Sequence, residues 1–471
     1  MSRRIPRSRA LAYAGALLAV LAVALAVLAR AELFGEGFDD DEGRGKRGSG
    51  EVEAGVVAAA ALPVRAEPSV AAAFAAQTRL GYTAGDQWEP AIAADRFGHV
   101  YVLYPQYGGV PGCGACPSPT MILQISADRG ATWAAPRQIA APGSGQWDAQ
   151  IAVDPVDGRT VYAAWLQNGK SDIDVARSGD FGASWSVVTA DSTNAGTDKP
   201  ILAVRGPNVY VGYNHTQKVW VSASHDGGAT FTSVNINPNA KLGWSLAGGG
   251  TVDPAGNVFF AWAGYEQNGG AKGPVNLYIS KSADGGATWS QATLDVSGAP
   301  PDCSAYLCGW AFLGAQVTMA SDANGALYAL WNAGAADKAP ERIFFAKSAD
   351  AGATWSAKVD VSRAPAGVAH AFPAIAAGAA GDVRIAWMDA RGGTLWNTYY
   401  RSSRDGGASW SAESDLSSYV AGFSYIQPGG FSFPFGDYFE LAIDDRGTTH
   451  AVWGEGLNYD APGSIWYTRG S

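Results

Sequence analysis

An eight-residue pattern, Ser-x-Asp-x-Gly-x-Thr/Ser-Trp/Phe, recurs six times along this chain of 471 residues. It reads SADRGATW from Ser126, SGDFGASW from Ser178, SHDGGATF from Ser224, SADGGATW from Ser282, SADAGATW from Ser348 and SRDGGASW from Ser403. The shared positions suit a hairpin corner. An aspartate (Asp128, Asp180, Asp226, Asp284, Asp350, Asp405) accepts hydrogen bonds from N–H groups of the turn, and the glycine tolerates positive φ. The closing aromatic then anchors the corner in the core. The expected role of these residues is structural.

Each octamer follows a strand-like stretch, such as Met121 to Ile125 or Arg342 to Lys347. Before that stretch come two alternating apolar runs joined by an Asp/Gly turn, for example Ile151 to Val153 and Val161 to Trp165. A fourth run follows the octamer. Four short strands repeated every 46 to 66 residues describe a propeller blade. The inner pair occurs a seventh time, at Phe439 to Asp444 and Thr449 to Trp453, with Ser464 to Thr468 as a third strand. The chain then lacks a fourth, which Gln77 to Tyr82 can supply from the other terminus, removing a free sheet edge. The fold expected is all-β: a single propeller of four-stranded antiparallel blades, seven in number with closure between the termini. Six blades plus an extra hairpin is the alternative. The octamers have the form of the Asp-box, or bacterial neuraminidase repeat, and the chain from about Gln77 onward resembles the sialidase-like β-propeller superfamily.

Ahead of the repeats, Arg3, Arg4, Arg7 and Arg9 precede an apolar run from Ala10 to Ala29, and Ala29-Arg30-Ala31 offers a small-x-small cleavage site. Residues 1–31 are expected to be a secretory signal or an uncleaved membrane anchor. Residues 32–76, rich in Gly, Ala and acids and including Asp39 to Glu42, carry too little patterned apolar surface to fold and form a flexible spacer. Residues 77–471 form the propeller, placed outside the cytoplasm as a secreted or anchored domain. A net charge of −10 opposes nucleic-acid binding. Membrane contact is expected only through the N-terminal segment, and the partner is a glycan or another cell-envelope ligand. No cofactor is expected; no complete EF-hand loop is present, and no metal site is assigned.

Alternating strand direction puts the octamers and the short Asp/Gly turns on one face. The longer loops, such as Pro105 to Pro119, Asp295 to Gly309 and Ser417 to Phe435, fall on the other, where binding is expected. Cys113 and Cys116 share one of these loops and Cys303 and Cys308 another, so two local disulfides are the simplest pairing. Trp88, Trp147, Trp244 and Trp310 each stand where a first strand begins, beside Glu89, Asp148 and, farther round, Asp198 and Asp389. Exposed aromatics next to acids suit sugar stacking, while their recurrence also suits blade packing.

The resemblance implies sialidase parts: three arginines for a carboxylate, a Tyr nucleophile assisted by Glu, and an Asp acid/base. The superfamily's Phe/Tyr-Arg-Ile-Pro motif is absent before the first octamer. Arg342, Arg363 and Arg391 map near the loop face, and Asp437, Tyr438 and Glu440 lead into the seventh inner strand. These are the catalytic candidates. Three functions follow: a glycan-binding propeller, a glycoside hydrolase of exo-sialidase type, or a non-catalytic envelope scaffold.

Overall fold

In the computed structural model the described residues are 71–140, 143–193, 196–215, 217–268, 271–302, 313–391, 396–417, 436–455 and 463–470. The signal or anchor (1–31) and nearly all of the spacer lie outside them. So do Trp310, Cys303 and Cys308. Among the described residues no helix is long and apolar enough to cross a membrane.

Seven antiparallel sheets, each the four strands of one blade, form the propeller, and the sheet of blade 1 carries one extra short strand. Blade 2 shows the order from channel to rim: Gln146–Val153, Val161–Gln167, Asp172–Ser178 and Ser186–Ser192. Its second strand, VYAAWLQ, is buried throughout because it packs against a neighbouring blade on each face. The seventh blade consists of Glu440–Ile443, Thr449–Glu455 and Ser464–Gly470, completed by Thr78–Leu80. Thr78 pairs with Tyr467 and Leu80 with Ile465 in antiparallel register, so the ring closes between the termini with seven blades.

The corner chemistry is the same in every octamer. Asp128 accepts the Thr132 N–H at 2.8 Å and its hydroxyl at 2.6 Å, and Ser126 donates its hydroxyl to Asp128 at 2.8 Å while accepting the Gly130 N–H at 2.8 Å. The donors on Thr132, then Ser126, pull the Asp128 carboxyl down to about 2. The closing aromatic reaches back to the preceding blade: Trp133 meets Tyr467 of blade 7 edge-on, and Trp410 meets Phe345 of blade 5 at 4.9 Å. Arg129 N–H bonds to the Gly98 carbonyl and Gly406 N–H to that of Gly381, which fixes octamers and Asp/Gly turns on one face.

The octamer's fourth residue is left-handed in every repeat. Gly227, Gly285 and Gly406 occupy it in three (φ 75°, 74° and 67°), but Arg129, Phe181 and Ala351 occupy it in the others (φ 58°, 60° and 54°). Ala351 gives its carbonyl to Lys281, which glycine would retain, and packs one partly buried methyl group against the core between blades 4 and 5. Ala351→Gly is therefore expected to raise unfolding stability by about 1 kcal/mol in urea titrations, relief of strain outweighing the added freedom of the unfolded chain. A loss of stability would show that the corner is not strained.

Candidate functional site

The opposite face is where each first strand begins, and there the backbone repeats a second unusual feature. Glu89 in blade 1, Asp148 in blade 2, Lys199 in blade 3 and Phe372 in blade 6 are left-handed, with φ of 54°, 55°, 52° and 56°. Register shifts at Trp147/Gln150, Asp198/Ile201 and Ala371/Ala374 mark β-bulges at three of these points. A bulge re-aims a side chain, and non-glycine left-handed residues cost about 1 kcal/mol or more each. Blade 4 has its register shift one residue beyond the equivalent place, at Gly248, where a Cβ would stand 2.1 Å from the Val317 carbonyl oxygen of blade 5. The two blades approach too closely there for any side chain.

In blades 1 to 3 the re-aimed residues are charged, and with blade 7 they make one connected cluster at the mouth of the central channel. Glu89 accepts the Asp437 N–H at 3.1 Å, and Asp148 accepts the Lys199 N–H at 3.2 Å. The Lys199 ammonium pairs with Asp437 and lies 4.2 Å from the centre of the Tyr438 ring. Lys170, on the hairpin of blade 2, reaches Asp198 of blade 3 at 3.1 Å. Tyr438 donates to the Ala149 carbonyl at 3.3 Å. Below them a cavity of about 210 Å³ descends the channel, lined in part by Asp148, Lys199, Tyr438, Gln150 and Glu440. There Glu440 clasps three blades, accepting the Ile92 N–H at 2.9 Å and the Gln150 amide at 2.7 Å.

Glu89, Asp148 and Lys199 are all nearly buried, at 2%, 6% and 6% exposure. Burial pushes Glu89 well above the usual carboxylate range, reinforced by the charges of Asp437 and Asp148 and opposed by Lys199. Burial likewise raises Asp148 to about 7, with Lys170 opposing it and Asp198 adding to it. Asp198 goes the other way: burial opposes its charge, but Lys170 and Lys199 outweigh that and hold its carboxyl low. Burial also works against the Lys199 charge, yet Asp437, Glu89, Asp148 and Asp198 keep that amine above its ordinary value. Glu440 rises to about 8 through burial. The Tyr438 phenol is raised well above 10 by burial and then by Asp148, Glu89 and Asp437. It stays protonated, unlike an activated nucleophile.

The remaining candidates are placed elsewhere. Arg342 pairs with Asp360 at 2.9 Å, Arg391 is held by Asp389 and Glu413, and Arg363 gives its backbone N–H to Glu413. None of the three lines the channel cavity. Asp389 is fully buried and accepts the Trp387 indole N–H at 3.0 Å as well as Arg391. Trp88 is 3% exposed and stacks on Tyr107 with centroids 4.5 Å apart. Trp147 and Trp244 are half-buried against the interiors of blades 2–3 and 4–5. Trp88 is thus buried in its blade, while Trp147 and Trp244 pack on theirs with part of each ring exposed. Cys113 and Cys116 form the expected local disulfide.

Sequence reasoning passed over Lys199 and Lys170. A signal for the first was present: Asp198-Lys199-Pro200 stands at the same blade position as Trp88-Glu89-Pro90 and Phe372-Pro373. Also missed were Gln167 and Glu455, which with the candidate Asp389 are buried polar residues ending second strands, each accepting from its strand's own tryptophan: Trp165 donates to Gln167, Trp387 to Asp389 and Trp453 to Glu455.

No known protein family matches the chain, and no curated protein does. Solved structures resemble its architecture. A protein of unknown function from Dyadobacter fermentans is 13% identical, with a TM-score of 0.49 over 84% of this chain and 98% of that one. An ulvan lyase of polysaccharide lyase family 25 is 12% identical, with a TM-score of 0.48 over 82% and 95%. The NanB sialidase from Streptococcus pneumoniae is 13% identical, with a TM-score of 0.45 over 84% and 70%. The likeness is one of fold, and chemistry has to be read from the residues at the mouth.

Proposed function

We propose that this propeller binds glycans at the channel mouth, against Glu89, Asp148, Lys199 and Asp437. One observation carries the reading. Three consecutive blades hold a charged residue in a strained left-handed conformation, and those residues meet Asp437 in one cluster above a cavity. Strain of this kind persists where the surrounding structure holds a side chain in place for use. Carboxyl groups accept from sugar hydroxyls and, where protonated, donate to them, ammonium groups donate to ring and hydroxyl oxygens, and Tyr438 adds an aromatic neighbour. With residues 1–31 as export signal or anchor, the ligand would be met outside the cytoplasm; N-terminal sequencing of exported protein distinguishes the two.

The test is a glycan array probed with full-length protein, followed by calorimetry on the best ligand. Saturable binding is expected, weakened about tenfold or more by Asp437→Asn, as for loss of a hydrogen bond to a charged group. Absence of binding across the array would transfer the assignment to an envelope scaffold.

One observation favours hydrolysis as a second reading. Asp148, near 7, sits beside Asp198, which is held ionised, and carboxyls pushed apart in this way divide acid and base roles. Turnover of fluorogenic glycosides is then expected to show a limb near pH 7 that Asp148→Asn abolishes. Sialidase chemistry receives no such support, because the three arginines do not line the cavity and Tyr438 remains a protonated phenol.

A further inference from the structure

We propose that residues 33–42 of this chain fold back onto the octamer face of blades 1 and 2, on the side opposite the mouth. The corners there differ from the rest in what they expose. Phe97 and Val156, at the tips of the Asp/Gly turns of blades 1 and 2, are each 55% exposed. Among the large apolar residues described, only Val187 and Val296, on outer strands, are also exposed. Phe181 stands beside Phe97 at the fourth octamer position of blade 2, left-handed at φ 60° where glycine serves in three other repeats. Its ring meets Phe97 edge-on at 5.3 Å, stacks on His99 at 4.6 Å and lies 4.9 Å from the Arg159 guanidinium. A phenylalanine kept in a conformation that costs about 1 kcal/mol or more points to a use for its ring.

Guanidinium groups frame this apolar patch. Arg96 crosses from blade 1 to donate to the Pro155 carbonyl of blade 2, Arg137 donates to the Gly182 carbonyl, and Arg159 lies on Phe181. A guanidinium has five N–H donors, so a bond to a carbonyl leaves others for a carboxylate. The acids of the same corners are turned inward. Asp95 accepts the Phe97 and His99 N–H groups at 2.8 Å each, Asp157 those of Arg159 and Thr160 at 2.7 and 2.9 Å, and Asp180 that of Ser184 at 2.9 Å. An incoming carboxylate therefore meets N–H donors here, and an incoming aromatic ring meets Phe97 and Phe181.

A segment of matching chemistry lies in the chain's own N-terminal region. Leu33-Phe34-Gly35-Glu36-Gly37-Phe38 runs into Asp39-Asp40-Asp41-Glu42, and Phe34 and Phe38 are the only aromatic residues between Tyr13 and Phe74. The described chain enters close to the patch. The Ala75 N–H bonds to the Arg469 carbonyl at 2.9 Å, the Arg469 guanidinium to the Arg129 carbonyl, and the Arg129 N–H to Gly98, next to Phe97, at 2.8 Å. Residues 43–70 separate the acidic run from the described chain, a length that spans about 30 Å on a random-coil average and about 90 Å at full extension. Tethering of this kind gives an effective concentration of about 1 mM, so an intrinsic dissociation constant of about 0.2 mM keeps the segment docked most of the time. Residues 30–33 alone separate the apolar run ending at Ala29 from Phe34. Where that run stays in a membrane, docking holds the octamer face toward it and the mouth outward; where the chain is cleaved after Ala31, the docked segment is its N-terminus.

The test uses the exported protein as purified and chymotrypsin, which cuts after phenylalanine. Cleavage at Phe34 and Phe38 is followed by mass spectrometry in the wild type, Phe97→Ser and Arg159→Gln. Tryptic cleavage at Arg65, outside the proposed segment, is the control. Docking is expected to slow cleavage at both phenylalanines about fivefold in the wild type relative to each variant, with Arg65 unchanged. A photoreactive p-benzoylphenylalanine in place of Phe38 should crosslink within one chain to the peptides that hold Phe97 or Phe181. Equal rates in the three proteins, or crosslinks that miss those peptides, would overturn the proposal. So would protection that grows with protein concentration, which assigns the patch to a second copy. Binding of the wild type but not Phe97→Ser to phosphatidylglycerol vesicles, with Phe34 and Phe38 open to cleavage, overturns it in favour of a membrane surface. None of these outcomes bears on glycan binding at the mouth.

Discussion

Lys199→Met is expected to destabilise the propeller by about 3 kcal/mol at pH 7 and by clearly less at pH 5. Methionine nearly matches the lysine stem in length, so packing is largely retained and the change isolates the charge. Lys199 is 6% exposed and pairs with Asp437, while Glu89, Asp148 and Asp198 also act on it electrostatically. Removing one partner of a buried pair leaves an uncompensated buried charge, which costs about 3–5 kcal/mol. The cluster has one way to relieve this, which is to bind another proton. That relief is easier in acid, hence the smaller loss at pH 5. Urea unfolding at both pH values measures it, and Asp437→Asn in the Lys199→Met background should recover part of the loss. An equal loss at both pH values would mean that Lys199 acts by packing rather than by charge.

The architecture was legible because each blade announces itself locally. An octamer corner is closed by its own serine, aspartate and threonine within seven residues, so sequence alone shows it. The seventh blade was legible by subtraction: an inner pair and a third strand lacked a partner, and Thr78–Leu80 had none nearby in sequence. The mouth was legible only in part. Glu89, Asp148, Asp437 and Tyr438 are found by asking where first strands begin, yet nothing in their spacing reveals that the backbone turns left-handed at Glu89 and Asp148. That turn decides which neighbour faces the channel. It sends Glu89 into the cluster and leaves Trp88 stacked on Tyr107, and it brings in Lys199 where alternation suggested nothing.

Arg342 and Arg391 illustrate a different limit. Their distance from the mouth in sequence terms is no greater than that of Asp148, but Asp360, Asp389 and Glu413 lie close enough to hold them on blades 5 and 6. The Arg342–Asp360 and Arg391–Glu413 pairings join segments 18 and 22 residues apart, invisible to a pattern read along one strand. The resulting mouth is lopsided, charged over blades 7, 1, 2 and 3, while blades 4 and 6 present the buried Ala247 and Phe372 at the equivalent positions. A ligand lying across it would be held from one side.

Thermal stability is expected to be highest near pH 5, to fall by about 5 °C or more by pH 8.5, and to drop steeply below pH 3. Two sets of carboxyls with opposite shifts produce this shape. Burial raises Glu440 and Glu455 to about 8, Asp148 to about 7, and Asp86 and Asp415 to about 6. For a group raised on folding, the stabilising effect is complete below its unfolded pKa of about 4 and drains away as pH rises through the folded value. These five therefore make folding progressively less favourable between pH 5 and 8. The octamer aspartates act in reverse. Asp128, Asp180, Asp284 and Asp350 are held at about 2, chiefly by the hydroxyl four residues on, so their contribution is present above about pH 4 and lost toward pH 2. Only the window between the two sets keeps both. Scanning fluorimetry across pH 2.5 to 9 measures the profile, and Glu455→Gln should flatten its alkaline limb by removing one buried acid, retaining through its amide oxygen the bond from Trp453. Stability that rises from pH 5 to pH 8 would contradict the protonated state assigned to these acids, including Asp148.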